Sequence, residues 1–368
     1  MKKKILIITH GFYPELSPRS FRATELAKEF YRQGHEVTVM APYRIGIDEL
    51  IKEYPFEFKS LGVLTWKIFN FKKFGLAGRL YNKAVNRLLP LLFEYPMLEL
   101  FFKVRKALKN EKKKYDLLIS VAVPYPIHWG VASTWNTKSK IADIWVADCG
   151  DPYYLDENDS FRKPYYFKYV EKWFMRKADF VSIPAEFLKK NVFPEFHSKI
   201  KIIPQGFKFE DVQRDEIVND GIIRFGFAGS LIYLKRDPRK FLEFLLQLDD
   251  NFKFEFHIFT NSVHLLEPYI YIDKRIILHK PIDRIELLRK LSRFNFVVNF
   301  MDSKTQRPSK LIDYSILNLP ILNIEMEKLD KNNILAFLNG DYTGRYVIEN
   351  PDQYRIENIC QKFLDLCK

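Results

Sequence analysis

Short runs of consecutive apolar residues alternate with amphipathic stretches along most of the chain. The first run is KILIIT at residues 4–9, and apolar residues at helical spacing follow it between positions 21 and 30. A continuous apolar run of this length is typical of a strand that is buried on both faces of a parallel sheet. The recurrence of strand and helix in this order therefore predicts an α/β fold.

The predicted strands fall into two series, which indicates two domains. Strands of the first series lie at 4–9, 36–40, 116–121, 140–148, 178–183 and 199–203. Strands of the second series lie at 222–228, 252–259, 275–279 and 294–300, and a last one begins at 321. Residues 207–221, between the two series, are highly charged and lack periodicity, as expected of a linker. We therefore predict a first domain at 1–206 and a second domain at 207–352.

The net charge of +13, from 59 Lys and Arg against 46 Asp and Glu, favours an anionic partner. Nucleic acid, an anionic lipid surface and a phosphorylated substrate all meet this condition. The hydrophobic fraction of 47% excludes a disordered chain. The three cysteines have no paired spacing, which indicates a reducing compartment, and the first apolar run is too short for a signal peptide. Both features predict a cytoplasmic protein.

Basic and aromatic residues interleave between positions 66 and 79, and an apolar helical stretch continues to residue 114. Such a sequence suits contact with an anionic membrane, so we predict a peripheral membrane surface at about 66–114. For the helical stretch itself, packing of its apolar face on the sheet is the favoured alternative. Interleaved aromatics and lysines could also bind single-stranded nucleic acid. Nothing else in the chain resembles a nucleic-acid module, so we expect no nucleic-acid partner.

Polar side chains follow two predicted strands of the first domain. His128 comes after the strand at 116–121, and Asp151 comes after the strand that ends at Asp148. Because ligands of open α/β sheets bind at the carboxyl ends of strands, we predict that His128 and Asp151 are catalytic or orienting groups. A structural role is the alternative for His128, and Asp148 is expected to cap or orient the loop. No further side chains stand at metal-ligand spacing, so no metal site is predicted.

The stretch RPSKLIDYSILNLPIL at 307–322 predicts a polar loop, a short helix and a buried strand. Ser309 is a favourable N-cap, and Lys310 begins the predicted helix. Free backbone N–H groups, the helix dipole and an ammonium would converge there on an anion such as a diphosphate. An ordinary capped helix of an α/β domain is the alternative.

This stretch resembles the donor-site signature of GT4-like glycosyltransferases, which build bacterial surface polysaccharides. Those proteins often show P-S-K-L-x-E-Y before a turn and Pro-Val or Pro-Ile, and P-S-K-L-I-D-Y occupies 308–314 here, with Leu-Pro-Ile at 319–321. The order of strand, Pro-rich loop, helix, Gly-His and strand at 4–40 is similar to the family's amino-terminal opening. The resemblance implies the GT-B fold, an α/β fold in which two Rossmann-like βαβ domains face a central cleft. It also implies that a helix at 353–368 packs back on the first domain.

The resemblance also implies roles for individual residues. The carboxylate that holds the donor ribose falls on Asp313, and the partner acid of the family's E-x7-E pattern falls on Thr305. Ser230 stands where the G-R-L motif places a diphosphate-binding arginine, so we assign that charge to Arg236, with a solvated Lys235–Arg236 pair as the alternative. The predicted donor-binding residues are Gly229, Ser230, Arg236, Ser309, Lys310, Leu311 and Asp313. Near the acceptor side of the cleft we place Gly11, Arg19 and Arg22, with a solvated surface charge as the alternative for either arginine.

The implied function is a metal-independent, retaining glycosyltransferase that requires no cofactor. It would move a sugar from a nucleotide-diphosphate sugar to a glycan or a polyprenyl-diphosphate-linked glycan, at the inner face of the cell membrane. Two other functions stay open. A GT-B UDP-sugar epimerase would convert the donor without an acceptor, and a non-catalytic GT-B subunit would bind nucleotide poorly or not at all.

Overall fold

The computed structural model describes residues 2–68, 75–136, 140–156, 161–209, 215–217, 219–234, 236–249, 251–301, 310–325 and 328–368. The chain divides into two compact units. Unit 1 comprises Met1–Phe207 and Tyr354–Lys368, and unit 2 comprises Lys208–Gln353. Each unit contains one parallel β-sheet, so the α/β class that the strand and helix pattern predicts is confirmed.

The described strands of unit 1 form a seven-stranded parallel sheet. In chain order they are β1 (Lys4–Thr9), β2 (Glu36–Ala41), β3 (Glu57–Ser60), β4 (Tyr115–Ala122), β5 (Ala142–Cys149), β6 (Phe180–Ile183) and β7 (Ile200–Ile202). Across the sheet their order is β3-β2-β1-β4-β5-β6-β7. At the centre, Ile7 of β1 pairs with Val39 of β2 on one side and with Ile119 of β4 on the other. The central strands are buried on both faces, which explains their continuous apolar sequences.

Helices cover both faces of this sheet and bury two apolar clusters against it. They are α1 (Pro18–Arg32), α2 (Ile47–Glu53), α4 (Glu99–Asn110), α5 (Pro126–Thr134) and α6 (Tyr166–Lys177), and unit 1 also contains α3 (Gly75–Phe93). Helix α1 begins where the side chain of Ser17 accepts a hydrogen bond from the backbone N–H of Ser20, and Pro18 occupies its first turn. Short 3-10 turns lie at Glu186–Asn191 and Pro194–Lys199.

Unit 2 contains a five-stranded parallel sheet in the order β10-β9-β8-β11-β12. Its strands are β8 (Ile223–Ala228), β9 (Phe254–Phe259), β10 (Ile276–His279), β11 (Phe296–Met301) and β12 (Ile321–Glu325). Its helices are α7 (Arg239–Leu246), α8 (Glu267–Ile270), α9 (Arg284–Leu291), α10 (Lys310–Ile316) and α11 (Lys331–Leu338). The core on one face is rich in phenylalanine, and the rings of Phe225 and Phe296 stack with centroids 4.5 Å apart.

The last helix, α12 (Ile356–Leu364), belongs to unit 1. Its buried residues Ile359 and Phe363 share one apolar cluster with Leu26 and Phe30 of α1. Backbone hydrogen bonds join Phe207 to both Tyr354 and Ile356, so the chain enters and leaves unit 2 at neighbouring positions of unit 1. 3-10 turns at Pro351–Tyr354 and Asp365–Cys367 flank the helix, and another lies at Val263–Leu265 in unit 2.

Candidate active site

The strand order of unit 2 reverses between β8 and β11. In open α/β sheets this switch point leaves a crevice at the carboxyl ends of the two strands, where ligands bind. Gly229 and Ser230 follow β8 directly and are exposed. Gly229 has φ of 136°, a backbone conformation that side chains with a Cβ rarely adopt. The predicted donor residues Gly229 and Ser230 therefore lie at the position where this fold binds ligands.

Helix α10 is fixed beside the same strand end. The hydroxyl of Tyr314 accepts a hydrogen bond from the backbone N–H of Ala228 at 3.1 Å, and Leu311 packs in the apolar cluster that contains both residues. These contacts hold Asp313, which precedes Tyr314, close to the switch point. Leu311 is buried, so its side chain supports the helix and is not available to touch a donor.

Asp313 pairs with Arg284, the first residue of α9. The Nε and Nη2 atoms of Arg284 donate to Oδ1 of Asp313 at 2.9 and 2.6 Å. Burial raises the pKa of Asp313, while the Arg284 guanidinium opposes this shift. The bond leaves Oδ2 of Asp313 without a partner among the hydrogen bonds of the described residues, so this oxygen can accept a hydroxyl.

Other predicted donor residues are less completely placed. Arg236 forms a two-residue bridge with Ile232, with backbone N–H to O distances of 2.8 and 3.1 Å, in the loop that leads to α7. Its side chain makes no ion pair within the part of the chain that the structure describes. Lys310 is the first residue of α10, as predicted, and its backbone alone is described. Ser309, Lys235 and Thr305 lie outside the described residues.

In unit 1 the strand order reverses between β1 and β4, and the candidate acceptor residues lie at the carboxyl ends of β1 and β5. The guanidinium of Arg19 occupies the space beside Gly150, where an added Cβ would come within 1.6 Å of Arg19 Cζ. The Nη1 atom of Arg19 is 3.8 Å from Oδ2 of Asp148. Burial lowers the pKa of Arg19, and the nearby carboxylates of Asp148 and Asp151 oppose this shift. Arg19 and Asp151 are thus brought together, with Gly150 as the residue that permits their approach.

Gly11 lies in the loop between β1 and α1. A Cβ at this position would be 3.1 Å from the backbone nitrogen of Ser20 and 3.2 Å from the hydroxyl of Ser17. The absence of a side chain therefore keeps the loop after β1 tight against the first turn of the helix.

Arg22 is neither a residue that faces a substrate nor a solvated surface charge, the two roles that were predicted for it. Its side chain is buried, and its Nε and Nη2 atoms donate to the two carboxylate oxygens of Asp148 at 2.5 and 2.6 Å. The remaining donors bind the carbonyls of Pro204 and Ile203 at 2.6 and 3.1 Å. Burial alone would raise the pKa of Asp148, but Arg22, Arg19 and Ser182 hold it below its ordinary value. All of these bonds are internal, so Arg22 supports the strand ends and does not meet a substrate.

The structure also corrects the prediction that His128 faces a ligand. Its imidazole has no exposed area, and its Nδ1 atom lies 2.7 Å from the hydroxyl of Ser120 while Nε2 lies 3.5 Å from Cys149 Sγ. Burial lowers the pKa of His128 to about 3, so the ring is neutral at physiological pH. A lone histidine after a strand gives no sign of its exposure, and here the first turn of α5 directs it into the core. His128 lies in the core behind the end of β5.

A sequence model of Glycosyltransferase Family 4 matches residues 21–211, which is more than half of the chain. The chain belongs to glycosyltransferase family 4. It is therefore a transferase, and the family predicted from the P-S-K-L-I-D-Y stretch is confirmed. No curated protein matches the sequence.

Solved structures share the fold of this glycosyltransferase at low sequence identity. A glycosyltransferase from Rickettsia africae has a TM-score of 0.60 at 11% identity, over 99% of this chain and 94% of that chain. Anabaena HepE in complex with UDP and glucose has a TM-score of 0.58 at 12% identity, over 99% of both chains. A variant of S. aureus TarM in complex with Fondaparinux, alpha-GlcNAc-glycerol and UDP has a TM-score of 0.58 at 14% identity, over 99% of this chain and 92% of that chain. The likeness at these identities shows the fold, and the predicted GT-B class with its two Rossmann-like units is confirmed.

Two residues near the candidate sites of this glycosyltransferase were not predicted from the sequence. Arg284 pairs with Asp313 although 29 positions separate them, and only its place directly after Asp283, a favourable N-cap residue, could have drawn attention to it. His10 directly follows β1 at the switch point of unit 1, and its Nδ1 atom has no hydrogen-bond partner within the described residues. Burial and the charge of Arg44 lower the pKa of His10. The strand-end argument that selected His128 applies equally to His10.

Within the described ranges, no group of three or more His, Cys, Asp or Glu side chains is arranged so that it could hold a metal ion. No helix described by the structure has the length and apolar character needed to cross a membrane.

Proposed function

We propose that this glycosyltransferase binds a nucleotide-diphosphate sugar at the switch point of unit 2. The observation that carries the proposal is the convergence of Gly229, Ser230 and Asp313 at the end of β8 in a family 4 chain. The partnerless oxygen of Asp313 suits a ribose hydroxyl, which is a donor. HepE and TarM, which share the fold, were both solved with UDP, and this favours a uridine nucleotide among the candidate donors.

The transfer needs charge and orientation more than a protein nucleophile. The bond from the sugar's anomeric carbon to the diphosphate breaks as the acceptor oxygen bonds to that carbon. Negative charge grows on the leaving diphosphate, which takes up the proton of the acceptor hydroxyl. We assign its stabilisation to the guanidinium of Arg236, the ammonium of Lys310 and the backbone N–H groups at Ser309 and Lys310. The reaction is proposed to be retaining and to need neither metal nor cofactor.

On the acceptor side we assign Arg19 and Asp151 to the orientation of the incoming glycan. Arg19 lies in the first turn of α1, and Asp151 lies in the loop that follows β5. Asp151 is exposed, and 18% of the surface of the Arg19 side chain is accessible. Tyr125 supports this pair, because its hydroxyl donates to the backbone carbonyl of Asp151. His128 acts only through the residues around it.

An aromatic surface of unit 1 supports a lipid-linked acceptor. We define it by Trp66, Phe93, Phe102, Tyr165 and Tyr169, whose exposed fractions range from 37% to 74%. Trp66 connects it to the helices, since its ring lies 6.0 Å from that of Phe102. Exposed aromatic rings near basic side chains suit the headgroup region of an anionic membrane. We propose peripheral contact with the inner face of the cell membrane, where a polyprenyl-diphosphate-linked glycan would be the acceptor in bacterial polysaccharide synthesis.

The donor assignment is tested by incubating the protein with UDP-, GDP- and ADP-sugars and measuring release of the nucleoside diphosphate. Release that depends on an added lipid-linked glycan supports the proposal. Arg236→Ala should reduce kcat severely, whereas Lys274→Ala, an exposed lysine of the same unit, should leave it unchanged. Isomerised nucleotide sugar without an acceptor would indicate the epimerase instead. Absence of both products and of nucleotide binding would indicate the non-catalytic subunit.

Membrane contact is tested separately by co-sedimentation with phosphatidylglycerol vesicles. A triple variant, Phe93→Ser with Phe102→Ser and Tyr165→Ser, should lose most vesicle binding. The matched control replaces three exposed apolar residues of unit 2 by serine: Tyr271, Ile272 and Val347. Equal binding by both variants would refute the membrane assignment without affecting the donor assignment.

A further inference from the structure

A second candidate binding site is a pocket of about 970 Å³ in unit 1. Its walls are the segments that precede β4, β5, β6 and β7, together with the last turns of α4, α5 and α6. Because the strands are parallel, these segments lie at the amino edge of the sheet. Arg19 and Asp151 lie at the opposite, carboxyl edge, so the pocket is separate from the acceptor residues. We call it the basic pocket.

The basic pocket carries a large excess of positive charge. Eight Lys or Arg side chains and two carboxylates line it. Both carboxylates are already paired, Glu111 with Lys59 at 2.6 Å and Asp179 with Lys140 at 3.3 Å. Lys113 pairs with Glu36, outside the pocket, at 2.6 Å. Six lining cations form no ion pair within the described residues: Lys109, Lys112, Lys114, Arg176, Lys177 and Lys199.

Two of these cations are held in fixed positions by neutral groups. Lys177 Nζ donates to the carbonyl of Ala132 at 2.9 Å, and Lys199 Nζ donates to the carbonyls of Arg176 and Ala178 at 2.8 and 2.7 Å. Carbonyls orient an ammonium without neutralising it. Each helix C-terminus contributes roughly half a negative charge, so the three helix ends offset only about a quarter of the six unpaired charges. Burial lowers the pKa of Lys199, and the carboxylate of Asp179 opposes this shift only in part.

Other cations of the pocket are free to approach a ligand. Three of them are exposed and have no partner among the described side chains: Lys109, Lys112 and Arg176. Lys109 lies in the last turn of α4, Lys112 shortly after that helix, and Arg176 in the last turn of α6. A guanidinium and several ammonium groups around one cavity recognise phosphate oxygens, with the arginine able to bind two of them at once. A volume of this size is typical of pockets for small molecules.

We propose that the basic pocket binds a compact anion that carries two or more phosphate groups. The cations line a single pocket of about 970 Å³, which favours a compact ligand over a nucleic-acid strand. A free polyphosphate and the phosphorylated headgroup of a lipid share this chemistry. The site is distinct from the donor site of unit 2 and does not depend on glycosyl transfer.

The test is calorimetric titration of the full chain with inorganic tripolyphosphate at low ionic strength. A variant with Lys109→Glu, Lys112→Glu and Arg176→Glu should bind at least about tenfold more weakly, because it replaces three charge-assisted donors by repelling carboxylates. The matched control changes three exposed lysines of unit 2 to glutamate, which gives the same net charge: Lys253, Lys274 and Lys328. This control should stay within about threefold of the unmodified protein, since none of its three residues lines the basic pocket. Equal weakening in both variants, or no binding by the unmodified protein, would overturn the proposal, provided that all melting temperatures agree.

The source of the anion is decided by a second arm with phosphatidylcholine vesicles that contain cardiolipin, a lipid whose headgroup carries two phosphates. It uses the variant of the aromatic surface as its background, so that only the basic pocket contributes. Vesicle binding that disappears with the three pocket substitutions assigns a lipid headgroup. Tripolyphosphate binding without any pocket-dependent vesicle binding assigns a free phosphate ligand. A single-stranded oligonucleotide that binds more tightly than tripolyphosphate through the same residues would overturn the assignment to a compact anion.

Discussion

Replacement of Arg22 by methionine tests whether this residue is structural. The substitution keeps a long side chain but removes four hydrogen bonds, two of them to a carboxylate that is 1% exposed. Removal of one partner from a buried ion pair typically costs about 3–5 kcal/mol, because the other charge stays buried and unpaired. Arg19 lies 3.8 Å from the same carboxylate and offsets part of this loss. We therefore expect a loss of about 3 kcal/mol in the free energy of unfolding, or roughly 6–12 °C in Tm.

Tryptophan fluorescence is the appropriate assay, because all five tryptophans of the chain lie in unit 1. Urea unfolding followed by this signal reports the unit that contains Arg22. The matched control is Arg32→Met on the same helix, which removes one hydrogen bond to Glu29; because Gln33 also donates to Glu29, this variant should lose less stability than the variant at Arg22. Unchanged stability together with abolished turnover in the Arg22 variant would refute the structural role and would indicate that Arg22 contacts a substrate.

Three further predictions concern single side chains. Burial raises the pKa of Glu171 to about 8, so the folded state holds this proton more tightly than the unfolded state, and stability should fall by on the order of 3 kcal/mol between pH 5 and pH 8. Glu171→Gln should remove that slope in urea unfolding curves measured by tryptophan fluorescence, and an unchanged slope would contradict the assignment. Gly150→Ala should displace the Arg19 guanidinium and lower turnover as Arg19→Ala does, which steady-state kinetics of the two variants would reveal; wild-type kcat in Gly150→Ala would show that Arg19 is not needed at that place. Tyr314→Phe leaves the buried N–H of Ala228 unpaired and should cost about 1–3 kcal/mol, measurable as a lower melting temperature of unit 2, and an unchanged value would mean that the bond is not formed in solution.

Local patterns gave the positions of the buried strands because each strand is a continuous apolar run. The run predicted at 116–121 is β4 at Tyr115–Ala122, and the run at 222–228 contains β8. Strand β3 was not predicted, because Glu57–Ser60 lies at the sheet edge and three of its four residues are polar. A strand that is buried on both faces can thus be recognised from its own residues, whereas an edge strand forms through its pairing with the neighbouring strand and cannot.

Two different signals pointed to the candidate site residues. The rule for open sheets pointed to Asp151, which follows a strand end, whereas Gly229 and Asp313 were assigned through the resemblance to family motifs. The pairing of Arg22 with Asp148 joins residues 126 positions apart, and neither sequence neighbourhood shows that both will be buried. The basic pocket is likewise built from segments that precede four different strands. In the sequence its lysines look like separate surface charges, because only the folded sheet brings them together.

The central claim is that unit 2 binds a nucleoside diphosphate at the switch point between β8 and β11. Thermal unfolding with UDP, GDP, ADP and CMP, in the unmodified protein and in Asp313→Ala and Lys310→Ala, tests it most directly. One diphosphate at a hundred times its Kd should stabilise the protein by about 2.7 kcal/mol, and the shift should shrink in both variants but not in the control Lys274→Ala. A protein that none of these nucleotides stabilises, or a shift that both variants retain in full, would contradict the account.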